Sequence, residues 1–299
     1  MNMCRYFAYI GKPVLANELL YKPQHSLIER QSIGAQEMSI PINGDGFGIS
    51  WYDFALDDEP CQFRSVRPSW SDQNLRFLAK KIKTPMLFAH VRAATPGFAI
   101  DEQNCHPFVH GKLTWMHNGM SLGFKKFRRK LLRDLKDDAY DAIHGSTDSE
   151  HLFGLFLDQL DNPTGEVTTE EMAQAMLKMF EKLDGLLLEH DIKEHSYLNL
   201  SVSNGKAVIA TRYTTNPRVQ PATLYYMFGK NYVCDDYRCY MEPDDGHSGA
   251  VIIASEPFTA VKSDWIKVGR NSMIIVDEDL SIRFQDIEMS FERAGFVYQ

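Results

Sequence analysis

The sequence predicts an α+β fold, and three observations carry that expectation. Short strand-like runs rich in Val, Ile, Tyr and Phe dominate both ends of the chain. Helical patterns of apolar residues occupy its middle. The order of strands, then helices, then strands again is not the regular alternation of a βαβ chain. With 299 residues, 44% of them hydrophobic and 24% charged, the composition is ordinary for a globular chain, with length for one large domain or two ordinary ones. A chain of this size removes roughly three quarters of its unfolded surface from water, so a sizeable core is available.

Taken in order, strand-like runs are predicted at 4–10, 47–52, 62–67, 86–92 and 112–117, each punctuated by Gly, Pro, Asn or Asp. Leu75, Leu78 and Ile82 are spaced for one turn or two of helix ahead of the fourth run. Residues 124–136 hold seven basic residues and one acidic one, Asp134, with Phe127, Leu131, Leu132 and Leu135 on the other side. That pattern predicts an amphipathic surface helix whose basic face would suit an acidic partner. Leu152, Phe153, Phe156, Leu157 and Leu160 form one apolar stripe, and Met172, Met176, Met179, Phe180 and Leu183 another. Each opens at a capping-box pattern, Thr147-x-x-Glu150 and Thr168-x-x-Glu171, and the methionines read as core. Late strands are predicted at 198–203, 207–213, 223–228, 251–254, 273–277 and 281–284.

Composition also narrows function. Forty Asp and Glu against 32 Lys and Arg give a net charge of −8, which weighs against a general nucleic-acid binder. No apolar run approaches the roughly 18 residues of a membrane-spanning helix, and the first residues lack the pattern of a secretory signal. Five widely spaced cysteines, an odd number, fit a thiol-reduced cytoplasmic protein. There is no C-x-x-C, and Pro107 interrupts the helix that would bring His106 and His110 onto one face, so no metal site is expected. Gly44-Asp-Gly-Phe-Gly48 lacks the spacing and the following helix of a nucleotide-binding loop.

Several residues have two readings when taken singly. Cys4, at the head of an apolar strand, is a small buried hydrophobe or a nucleophile that uses an N-terminal α-amine as its base. Asn118-Gly119 is a tight hairpin turn or an oxyanion hole made of a side-chain amide and a backbone N–H. Arg92 closes a surface ion pair or forks onto a substrate carboxylate. Asp148 is a first-turn acid favoured by the helix dipole or the partner of a substrate ammonium.

In chain order these pieces resemble the class II glutamine amidotransferases, the Cys branch of the N-terminal-nucleophile hydrolases. The matching segments are Met3-Cys-Arg-Tyr-Phe-Ala-Tyr-Ile-Gly11, Asp45-Gly-Phe-Gly-Ile-Ser-Trp-Tyr52 and His90-Val-Arg-Ala-Ala-Thr-Pro-Gly97. They continue with Asn104-Cys-His-Pro-Phe108, His117-Asn-Gly119, Gly145-Ser-Thr-Asp-Ser-Glu150 and Ile252-Ile-Ala-Ser-Glu-Pro257. Within the family the chain resembles the stand-alone branch that includes the ergothioneine-pathway γ-glutamyl hydrolase and the amidotransferase-like subunit of the yeast glutathione-degrading complex. The resemblance implies a four-layer αββα sandwich spanning residues 4–299 as one domain. It implies Cys4 as nucleophile, with Asn118 and Gly119 at the oxyanion. Arg92 would hold the α-carboxylate of a γ-glutamyl group, Asp148 its α-ammonium, and Thr95 would be a weaker carboxylate contact. The implied activity is hydrolysis of a γ-glutamyl amide, of glutamine or a small γ-glutamyl compound, through a Cys thioester and without metal or organic cofactor. The alternative is a catalytically silent subunit that binds γ-glutamyl ligands or a partner protein; a homo-oligomer or a partner subunit suits either reading.

Two departures stand out. Relatives fused to synthases often carry His after Arg-x-x-Thr, where this chain has Pro96. Met1, Asn2 and Met3 precede Cys4 and would block its amine, so residues 1–3 are expected to be a removed leader or to reflect a mis-assigned start, with translation beginning at Met3 and that methionine then removed.

Overall fold

The computed structural model describes residues 4–34, 42–94, 97–216, 218–235, 238–243 and 249–288. In chain order its strands are β1 (Arg5–Leu15), β2 (Phe47–Tyr52), β3 (Pro60–Ser65), β4 (Lys83–Val91), β5 (Phe108–His110), β6 (Leu113–Met120), β7 (Tyr197–Ser203) and β8 (Val208–Thr214). They continue with β9 (Tyr225–Gly229), β10 (Tyr232–Cys234), β11 (Cys239–Met241), β12 (Ala250–Ala254), β13 (Ile266–Lys267), β14 (Ser272–Val276) and β15 (Ile282–Asp286). The helices are α1 (Ala16–Leu20), α2 (Gln73–Leu78), α3 (Phe124–Asp134), α4 (Asp137–Asp141), α5 (Asp148–Leu157) and α6 (Thr169–Glu189).

Two antiparallel sheets form, in the orders β13-β9-β12-β1-β4-β2-β3 and β15-β14-β8-β7-β6-β5, beside a β10-β11 ribbon. Side chains alternate across a strand, so each sheet offers two faces, and both faces are apolar here. From β1, Tyr6, Ala8 and Ile10 enter one core with Phe88 of β4, Met116 of β6 and Ala210 of β8; this core lies between the sheets. Phe7 and Tyr9 point the other way, onto Leu19, Leu20 and Leu75 of α1 and α2. The outer face of the second sheet, with Trp115 and Leu200, is covered by Phe153 and Phe156 of α5 and the methionines of α6. The result is helices, sheet, sheet, helices, the αββα sandwich expected from the sequence. Ser50 Oγ and Thr114 Oγ1, 2.7 Å apart, tie the facing sheets inside the apolar gap.

The predicted strands appear within a few residues of their expected bounds. The elements without a prediction, β5, β10, β11, β13, α1 and α4, are two to five residues long, too short to display a period. The capping boxes divide. Thr168 and Glu171 make the full reciprocal pair. Thr147 Oγ1 accepts from the Glu150 N–H, but the Glu150 carboxylate turns to the N–H groups of His144 and Gly145 instead. The expectation of five reduced thiols is corrected: the ribbon pairs Cys234 directly with Cys239, and the two form a disulfide, leaving Cys4, Cys61 and Cys105 free. Among the described residues no helix is long and apolar enough to cross a membrane.

Candidate active site

The register of β1 on β4 sets the first half of the site. Arg5 lies opposite Val91 and Tyr6 opposite His90. One step further along the same register Cys4 faces Arg92, and both are in phase with the residues that point between the sheets. Cys4 is half-buried. Its sulfur accepts from the Ala93 N–H at 3.4 Å and lies 3.7 Å from the Ala93 carbonyl. Burial pushes the thiol up from its ordinary value; the Ala93 N–H, Arg92 and Arg5 act against that, and Asp148 adds to it. The resting thiol is therefore protonated at neutral pH and needs a base to become a nucleophile. Arg92, 3% exposed, donates from Nη1 to the Asp45 carbonyl at 3.4 Å and from Nη2 to the Ala99 carbonyl at 3.2 Å. Neither bond neutralises the guanidinium, so its charge stays available to an anionic ligand. Thr95 lies outside the described residues.

The second half comes from the other sheet. Asn118 and Gly119 sit inside β6, opposite Asn199 and Leu198 of β7, so the hairpin-turn reading of Asn-Gly does not hold. Asn118 is in phase with Thr114 and Met116, which face the first sheet, and its Nδ2 reaches across to Ser255 Oγ at 3.3 Å. That bond uses one of two amide hydrogens; the buried Oδ1 has no partner among the described residues. Gly119 is required by crowding: a Cβ there would lie 1.9 Å from the Tyr197 carbonyl oxygen and 2.6 Å from His117 Nε2. Just beyond β6, the Ser121 N–H donates to Asp148 Oδ2 at 2.6 Å, and the Ser149 N–H to Oδ1 at 3.0 Å. Asp148 opens α5 behind the Thr147 cap, where the helix dipole favours a carboxylate. Two accepted bonds leave it lone pairs for a further donor.

Three buried histidines line the region. His90 Nε2 bonds the His117 carbonyl at 3.2 Å, and His90 stacks on His106 with ring centroids 4.2 Å apart. His117 uses both ring nitrogens, on Ser149 Oγ and the Tyr197 carbonyl, each at 2.9 Å. Burial holds all three below the ordinary histidine value, His90 down to about 3. His110 ends β5 and shares no helix face with His106. No group of three or more His, Cys, Asp or Glu among the described residues is placed to hold a metal ion.

The Gly44–Gly48 run has a packing purpose. Gly46, at φ +116°, leaves room for Cys105 Sγ, and Gly48 for the His106 carbonyl; a Cβ would lie 2.6 Å and 2.3 Å from them. Asp45 Oδ2 accepts the Ala94 N–H at 2.8 Å and fixes the loop that follows Arg92.

With this geometry in hand, comparison with known proteins is decisive. The family profile described as glutamine amidotransferases class-II matches residues 29–294. The chain belongs to this family. It is 37% identical over 295 residues to the probable glutamine amidotransferase DUG3 of Saccharomyces cerevisiae, covering 92% of this chain and 82% of that protein. It is 29% identical over 118 residues to the gamma-glutamyl-hercynylcysteine sulfoxide hydrolase of Mycobacterium tuberculosis, a match spanning 40% of this chain and 49% of the relative. A glutamine aminotransferase class-II domain protein from Silicibacter pomeroyi shares the fold with a TM-score of 0.65 at 24% identity, covering 95% and 99% of the two chains. The glutamine phosphoribosylpyrophosphate amidotransferase of B. subtilis shares it at 0.60 and 16% identity, over 96% of this chain and 50% of that one. The sandwich is thus of the N-terminal-nucleophile type, and the chain is an enzyme of the class II amidotransferase family.

Sequence reasoning did not single out Ser255, Glu256, Arg5 or Asp45. All four lie within the segments that carried the resemblance, but nothing in a linear pattern shows that Ser255 meets Asn118 or that Arg5 meets Glu256 from 251 positions away.

Proposed function

We propose that this enzyme hydrolyses the amide bond of glutamine or of a small γ-glutamyl compound through a thioester on Cys4. The observation that carries the reading is the shared phase of Cys4 and Arg92 on one sheet, facing Asn118 on the other, with the Asp148 carboxylate held just beyond the end of the Asn118 strand by the Ser121 N–H. A γ-glutamyl group is a zwitterion at one end and an amide at the other. Arg92 takes the α-carboxylate and Asp148 the α-ammonium, and this pins the amide carbon against the thiol. The free hydrogen of Asn118 Nδ2 and the Gly119 N–H receive the oxyanion. The α-amine of Cys4, freed by loss of residues 1–3, takes the thiol proton and passes it to the leaving amine. Water, activated by the same amine, then resolves the thioester. Both named relatives, a glutamine amidotransferase and a γ-glutamyl hydrolase, fit a γ-glutamyl donor.

The test is Cys4→Ala assayed by ammonia or amine release from a panel of γ-glutamyl amides. The variant is expected to be folded and inactive; normal hydrolysis by it would remove Cys4 as the nucleophile, whereas a parent protein that binds γ-glutamyl amides and turns none of them over would return the chain to the reading of a silent binding subunit.

A further inference from the structure

Arg5 and Glu256 form an ion pair that is 2% and 0% exposed. Arg5 Nε and Nη2 donate to Glu256 Oε1 at 2.9 and 2.6 Å. The remaining arm, Nη1, donates at 2.8 Å to the carbonyl of Cys4 itself. Stability does not explain this arrangement: desolvating two charges offsets most of their attraction, and buried pairs are often replaced by apolar residues of similar volume without loss. Position offers an explanation. Cys4 stands one residue before β1, at the end of the register that aligns its neighbours. Arg5 binds it from the far side, and Glu256 sets the plane of the guanidinium by taking two of its three donor groups.

The residue before Glu256 does the same for the other half of the site. Ser255 follows β12 and exchanges bonds with β1: its N–H donates to the Tyr6 carbonyl at 2.9 Å, and its Oγ accepts from the Tyr6 N–H at 3.1 Å. The same Oγ accepts from Asn118 Nδ2. Two consecutive residues therefore grip Cys4, through Arg5, and Asn118 directly. They tie the Cys4 backbone on one sheet and the Asn118 amide on the other to adjacent positions of one segment.

We propose that Glu256, acting through Arg5, is a positioning residue that holds the Cys4 nucleophile in register with the Asn118 oxyanion donor. The proposal rests on Cys4 being the nucleophile. Two variants separate it from a purely structural role: Glu256→Gln, which keeps an acceptor for Arg5 but removes the negative charge, and the apolar pair Arg5→Met/Glu256→Leu, which removes both charges. Each is measured for kcat and KM on a γ-glutamyl chromogenic amide. Thermal melting is followed, and so is the pH dependence of iodoacetamide labelling at Cys4, read by peptide mass. Both variants are expected to lose about 10- to 100-fold in kcat, the scale of a sub-ångström to 1 Å misplacement, with KM changed less than about twofold. The labelling midpoint should move down in Glu256→Gln, where Arg5 loses its counter-charge, and up in the apolar pair, where the cation is gone. A folded variant of either kind with the parent kcat and labelling midpoint would overturn the proposal. If the apolar pair does not fold, Glu256→Gln alone decides by the same two readings. Failure of the underlying assignment looks different: Cys4→Ala would itself turn over normally.

Discussion

At the scale of single residues the site divides work between binding and chemistry. In the proposed mechanism Asn118 meets the substrate only where charge develops, so Asn118→Ala should lower kcat by about 100- to 1000-fold with little change in KM. A change confined to KM would remove the oxyanion assignment. In the same mechanism Arg92 would meet the α-carboxylate in ground state and transition state alike, so Arg92→Ala should chiefly raise KM. The effect should vanish for substrates whose α-carboxylate is amidated, which a paired comparison of the two substrate forms measures. Gly119 is constrained by space: Gly119→Ala drives a methyl group into the Tyr197 carbonyl and the His117 ring. It should cost about 1–3 kcal/mol of stability as well as activity, read from chemical denaturation.

At the scale of elements, α5 and α6 brace the sheet that carries Asn118. Trp115 of β6 packs against Phe153 and Phe156 of α5, with ring centroids 5.4 and 5.2 Å apart. Phe156→Ala should therefore cost about 3–5 kcal/mol, and denaturant titration measures it. The contribution of this element was legible in the sequence, because a stripe at helical spacing behind a capping pattern is a local signal. The strands were legible for the same reason. Two kinds of feature were not. The short elements carry no period, as with α1 and the β10-β11 ribbon, whose pairing is what brings Cys234 to Cys239. Contacts between distant segments leave no linear trace: Asn118 reads as a turn residue until β7 is seen beside it, and the Glu150 side chain leaves its expected cap for the backbone of His144 and Gly145. The motif order names the candidate residues, and the pairing of the sheets gives their geometry. Helix α3 buries Phe124, Phe127 and Leu131 and turns its cations outward, as the amphipathic pattern predicted.

At the scale of the whole molecule, the two-sheet interior encloses neutral histidines, and this makes stability depend on pH. His90 falls from an unfolded value of 6.5 to about 3 in the folded protein. The unfolded chain therefore binds the proton first, and stability is full above about pH 6.5 and lost as pH falls toward 3. At pH 5 the loss from His90 alone is about 2 kcal/mol. Urea midpoints at pH 7.5 and pH 5 should show it, and His90→Phe should reduce that difference if the variant folds. The molecule also has a beginning that chemistry constrains. The proposed α-amine base requires Cys4 at the chain terminus, so on that proposal active enzyme should have an intact mass lacking residues 1–3; full activity with them attached would transfer the base to another group.

The proposed reaction passes through a covalent bond between substrate and Cys4, and that bond can be weighed. Active enzyme is mixed with a γ-glutamyl chromogenic amide, quenched in acid during turnover, and measured by intact mass and peptide mapping. The prediction is one γ-glutamyl group per chain, located on Cys4, absent from Cys4→Ala and discharged by brief treatment with hydroxylamine. Steady hydrolysis with the label on another residue, or undiminished in Cys4→Ala, would contradict it.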